Sequence, residues 1–147
     1  MASFPELLDV GIMGHCKHGK SGLCIKSGVE CYQDGSHATS PNMTLNDFKI
    51  IAEQCKGKTF QFALGGCGDP EQHENFREIL EICLQNGIVP NFTTSGLGLT
   101  KDLAVLCKKY CGAVAVSWYR SEYTLKAIEL LLNEGVKNKY PLCFKQK

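Results

Sequence analysis

Residues 59–94 read TFQFALGGCGDPEQHENFREILEICLQNGIVPNFTT, and this stretch constrains the fold more than any other. Residues 59–64 are a β-rich apolar run, and the glycines, cysteine, aspartate and proline of 65–70 break it sharply. Phe76, Ile79, Leu80, Cys83 and Leu84 then recur at i, i+3, i+4, i+7 and i+8, one stripe of an amphipathic helix. Gly87 stops that helix, and residues 88–93 resume a strand. Strand, helix and strand without a hairpin turn predict a parallel pair joined by a right-handed crossover.

The rest of the chain repeats the unit. Residues 7–13 fit a buried parallel strand. Thr44, with Asp47 three residues on, caps a helix striped by Leu45, Phe48, Ile51, Ala52 and Cys55 and ended by Gly57. Thr100 caps another, with Leu103, Leu106, Cys107, Tyr110 and Cys111 inward and Gly112 at its end. Residues 113–116 give a fourth strand, and Ser121 caps a last helix expected to bury Leu125, Ile128, Leu131 and Leu132 and to close at Gly135. The pattern predicts one α/β domain over residues 1–147, an open partial (βα)4–5 barrel with a parallel sheet, since four or five strands are too few to close. Residues 14–40 read as a long ordered loop, and 138–147 as an irregular tail in which Pro141 and the lysines weaken any fifth strand. An open sheet exposes the edge of the fourth strand, which a protein partner or a second copy of the chain is expected to cover.

A net charge of +1 with no basic block longer than two residues argues against general binding to nucleic acid or to a membrane surface. No apolar run is long enough to span a bilayer, and the start, MASFPELLD, lacks a signal-peptide core. Nine cysteines, an odd number, without a secretory signal lead us to expect a reducing cytoplasmic setting, with thiols as ligands, nucleophiles or small core residues.

In parallel α/β sheets the chemistry collects beyond the carboxyl ends of the strands. Those ends are residues 14–16, 65–70, 93–96 and 117–120, all rich in Gly, Cys, Ser, Thr or charge. Cys55, Cys83, Cys107 and Cys111 fall on helix stripes and are expected in the core. Cys16, Cys24 and Cys31 share the first loop and no stripe, a pattern that suits an iron–sulfur cluster or, with His18, a tetrahedral zinc site. Three unrelated thiols on a glycine-rich loop are the plainer alternative. The run from Gly14 to Ser21 also satisfies G-x4-G-K-S, but a phosphate loop needs a helix starting at its Lys-Ser pair. The following GLCIKSGV has two glycines and no apolar stripe, so a nucleotide triphosphatase is disfavoured.

Taken together, these residues resemble the radical S-adenosylmethionine (SAM) enzymes, over nearly the whole chain. That family carries three cysteines in its first-strand loop, usually C-x3-C-x2-C, and Cys16, Cys24 and Cys31 stand there as C-x7-C-x6-C, with Tyr32 following the third. Its second strand ends in Gly-Gly-Glu-Pro, matched here by Cys67-Gly68-Asp69-Pro70 after Gly65 and Gly66. Its third strand ends in Thr-Thr-Asn-Gly, matched by Thr93-Thr94-Ser95-Gly96. The cysteine spacing is longer than usual, Glu30 replaces an aromatic residue before the third cysteine, and the fifth and sixth strands of the family core are short or missing.

The resemblance implies a [4Fe–4S] cluster on the three cysteines with one iron open to SAM. It implies SAM held by Gly66, Gly68, Asp69, Pro70, Thr94 and Ser95, Asp69 pairing with its ammonium group. Reductive cleavage of SAM would then give a 5′-deoxyadenosyl radical. The missing strands leave two further readings. One is an inactive, truncated half-core that binds another protein, as a phage-type anti-CRISPR inhibitor would, through Trp118, Tyr119 and Arg120. The other is a structural zinc module.

Overall fold

Strands β1 (Leu7–Met13), β2 (Gln61–Gly66), β3 (Val89–Thr94), β4 (Ala113–Ser117) and β5 (Lys139–Leu142) lie side by side in chain order, every neighbouring pair parallel. The computed structural model describes residues 3–142 other than Lys20, Val29, Tyr32, Tyr119, Arg120 and Asn138. The fifth strand therefore exists despite Pro141, and it occupies the sheet edge, the position a proline tolerates. Its pairing with β4 corrects the expectation of an exposed fourth-strand edge: the free edges belong to β1 and β5.

The strands alternate in burial. Val10, Ile12, Phe62, Leu64, Phe92, Val114 and Val116 point into one hydrophobic core, while Asp9, Gly11, Ala63, Asn91, Thr93 and Ala115 between them do not. That core is completed by α2 (Leu45–Cys55), α3 (Phe76–Gln85), α4 (Lys101–Tyr110) and α5 (Ser121–Asn133), which follow a single helical turn, α1 (Leu23–Lys26). Phe48 of α2 meets Phe62 edge to face at 5.9 Å, and Phe76 of α3 meets Phe92 likewise at 5.5 Å. Thr44 and Thr100 cap α2 and α4 as their positions predict, accepting the amides of Asp47 and Leu103.

Two stripes needed correction. Leu84 is 64% exposed, and Ile82 is buried in its stead, because α3 packs against α2 and α4 on both flanks. On α5, Leu125 and Leu132 are 57% and 51% exposed, and the inward row is Thr124, Ala127 and Leu131. Among the described helices it packs chiefly against α4, so its outer flank meets solvent. Among the described residues no helix is long and apolar enough to cross a membrane.

Candidate functional site

Above the carboxyl ends of the strands, and running down the bare sheet face, lies one cavity of about 730 Å³. Cys16, His18, Cys24, Cys31, Gly66, Cys67, Gly68, Asp69, Pro70, Thr94 and Ser95 contribute to its rim. The three loop cysteines and both strand-end turns picked out from the sequence thus face a common space.

Close backbone packing brings the cysteine loop to the second turn. A Cβ on Gly66, whose φ is 118°, would lie 2.2 Å from the Met13 carbonyl oxygen. A Cβ on Gly68 would lie 2.6 Å from that of His15 and 3.1 Å from Cys16 Cα. These two glycines let the two turns touch, while Gly65, with nothing near its missing side chain, opens towards the cavity. Gly35 returns the loop to the same place: a Cβ there would sit 3.1 Å from Cys16 Cβ, 3.2 Å from the Cys67 carbonyl and 3.5 Å from Cys31 Sγ.

A chain of hydrogen bonds then links all three rim segments. The Lys17 amide donates to Gln72 Oε1 at 3.1 Å, and Gln72 Nε2 donates to Asp69 Oδ2 at 3.3 Å. The Ser95 hydroxyl donates to the same Asp69 oxygen, and the Ser95 amide donates to Asp69 Oδ1 at 2.8 Å. His18 Nε2 stands 4.0 Å from Asp69 Oδ2 and packs beside Gly98. One carboxylate therefore receives three donors from two turns, and a carboxylate can accept about four.

Sequence reasoning missed the layer beneath. Glu71 is buried, its Oε1 accepts the Thr94 hydroxyl, and its Oε2 has no hydrogen-bond partner among the described residues. Burial, reinforced by the nearby Asp69 charge and opposed by Thr94, pushes its pKa up to about 8. The same Thr94 oxygen accepts the Gly96 amide at 3.0 Å, so the neutral acid fixes the third turn from below. His73 is held as one tautomer, donating from Nε2 to the Met43 carbonyl at 2.9 Å and accepting the Asn75 amide at Nδ1. Acidic and polar residues after a glycine turn read as surface in a sequence, and no periodicity marks them for burial.

In number and softness the donor set suits a three-thiolate cluster. Cys31 Sγ accepts the Gly35 amide at 3.4 Å, and Cys16 Sγ accepts amides of Gly19 and His18, the sort of bond that tunes cluster sulfurs. Burial still holds the Cys16 thiol above its usual range, those two amides pulling the other way. Among the described residues no three His, Cys, Asp or Glu side chains stand close enough to hold a metal ion as they are, so ligation requires the 14–40 loop to draw its sulfurs together. The G-x4-G-K-S run opens no long helix: Gly22 precedes one turn of four residues. Trp118 is exposed, whereas Tyr32, Tyr119 and Arg120 lie outside the described residues.

No family model and no curated protein sequence matches the chain. Solved structures do. BtrN in complex with AdoMet and 2-DOIA superposes with a TM-score of 0.63 at 15% identity, over 80% of this chain and 47% of that one. Selenomethionine BtrN in an open conformation gives 0.61 at 16% identity, over 80% and 51%. Native anSMEcpe with bound AdoMet and Cp18Cys peptide gives 0.65 at 14% identity, over 95% and 42%. These neighbours are radical SAM enzymes, and the chain spans about half their length. At this identity the likeness shows the fold: a parallel α/β partial barrel of the radical-SAM type.

Proposed function

We propose that this chain is a radical-SAM-type protein. In this reading Cys16, Cys24 and Cys31 hold a [4Fe–4S] cluster, and the Asp69 and Thr94–Ser95 turns hold S-adenosylmethionine for reductive cleavage. The observation that carries it is the convergence of those three segments on one cavity, linked through Lys17, Gln72, Asp69 and Ser95. When bound, cluster and SAM together supply an electron and a carbon-centred radical.

The chain's own residues bind and orient. Asp69, fixed by three donors, keeps acceptor capacity on the cavity side for an ammonium group. Gly65 and Gly11 leave backbone open to a ligand lying on the strands. Neutral Glu71 locks the Thr94 turn without placing a second charge beside Asp69. His18 is engaged towards Asp69 and Gly98, which favours the three-cysteine cluster over a zinc site that includes this histidine.

The test is anaerobic reconstitution with iron and sulfide, followed by addition of SAM. SAM should perturb the electron paramagnetic resonance spectrum of the reduced protein and yield 5′-deoxyadenosine with dithionite. Asp69→Asn should weaken SAM binding by roughly tenfold to a hundredfold without lowering iron content. A spectrum indifferent to SAM, or an Asp69→Asn variant that binds SAM as well as the unaltered chain, contradicts the proposal.

A further inference from the structure

The cavity does not stop at the rim. Strand register places Asp9 beside Ala63, Ala63 beside Asn91 and Asn91 beside Ala113, one row across the bare sheet face. Two residues further along, Gly11 pairs with Gly65 and Thr93 with Ala115. This floor is built of glycine and alanine except at Asp9, Asn91 and Thr93, and it lies about 10 Å below the Gly66 turn at the usual rise per residue. Below Asp9 and Asn91, Leu7 and Val89 are large apolar residues left exposed on the same face.

Charge adds a second, independent observation. The chain has 16 Lys and Arg against 15 Asp and Glu, yet the described residues lining the cavity include two aspartates and no Lys or Arg. One aspartate, Asp69, is tied into the rim. The other, Asp9, has a carboxylate without hydrogen-bond or ion-pair partner among the described residues. Asp9 is exposed on the open side of the cavity, and a concave surface lined by one sign of charge attracts the opposite sign.

We propose that the floor of the cavity is a second binding site, for an organic cation. Its ligand carries a primary amine that pairs with the Asp9 carboxylate and an apolar part that rests on Leu7 and Val89. Asn91, held in place by donating from Nδ2 to Gln61 Oε1 at 2.9 Å, adds a polar group two strands away. The site rests on the reading above only in leaving the rim end of the cavity to SAM.

The probe is hexylamine, titrated against the full chain without iron or SAM and followed by amide resonances, with hexanol as its neutral counterpart. Hexylamine should shift the Ala63 and Asn91 amides and bind about tenfold or more tightly than hexanol. Asp9→Asn should remove that preference, and Ala63→Leu, which fills the floor beside the carboxylate, should abolish binding while the fold persists by circular dichroism. Charged residues on an edge strand also serve to prevent sheet-to-sheet association. If Asp9→Asn keeps the amine preference and instead self-associates, that role explains the residue and the proposal is overturned. No amide shift at any amine concentration the fold tolerates overturns it as well. The titration uses no iron or SAM and is read at the Ala63 and Asn91 amides, so failure of the SAM reading and failure of this one are separable.

Discussion

Cys83 lies fully buried between the helices of the core, and Cys31 stands exposed on the loop that faces the cavity. Burial pushes the Cys83 thiol up to about 12, out of reach of ordinary thiolate chemistry. Cys31 and Cys16 instead receive backbone amides at sulfur and border a cavity that also takes in Cys24 and Cys67. The residue type is the same, and the surroundings decide whether it packs in the core or faces the cavity. The two faces of the sheet repeat the lesson: on β2, Phe62 fills the core while its neighbour Ala63 borders the cavity.

The largest expected contrast is in reactivity. Iodoacetamide should modify Cys31 about a thousandfold faster than Cys83 or Cys107 in the folded, metal-free protein, as peptide mass spectrometry would show. Comparable rates would mean that the helix layer opens freely and that the division between the two sets of thiols is not real.

The two faces can be contrasted in stability. Phe62→Ala should cost about 3–5 kcal/mol in denaturant unfolding, because it leaves a hole under α2. Ala63→Ser, one residue along, should cost less than about 1 kcal/mol. Similar losses at the two positions would show that the cavity face is packed after all.

Glu71 sharpens the boundary between core and rim. Its folded pKa lies above its unfolded value of 4.5, so its proton is bound more tightly in the folded chain. Its contribution to stability is full below about 4.5 and is lost as pH rises through about 8. Glu71→Gln should remove a slope of at most about 1.4 kcal/mol per pH unit across that window, measured by unfolding at several pH values. An unchanged slope would place the carboxyl in water. Thr100→Ala, which removes the cap of α4, should cost about 1 kcal/mol with no change in iron content.

The helix stripes of α2 and α4, that of α3 apart from Leu84, and the parallel pairing of the strands were legible because the apolar period and the turn glycines are local signals. Leu125 and Leu132 misled because the same apolar side chains suit a helix with one neighbour or two, and the sequence does not say which. That the three loop cysteines border the same cavity as residues 66–70 and 94–95 was readable from strand polarity and from family resemblance together. The bond from Ser95 to Asp69 and the burial of Glu71 were not, since each depends on how two turns fold over the sheet rather than on any spacing. Pro141 argued against a fifth strand on backbone grounds, and the chain satisfies that argument by putting the strand at the edge.

The central claim is that the loop thiols, and not the core thiols, are metal ligands. The most direct measurement is iron per chain after anaerobic reconstitution, in two triple variants. Cys16→Ala, Cys24→Ala and Cys31→Ala together should reduce iron to background, whereas Cys55→Ala, Cys83→Ala and Cys107→Ala together should retain it in whatever fraction stays folded. Iron that survives loss of the three loop cysteines, or that never binds the unaltered chain, would contradict the account.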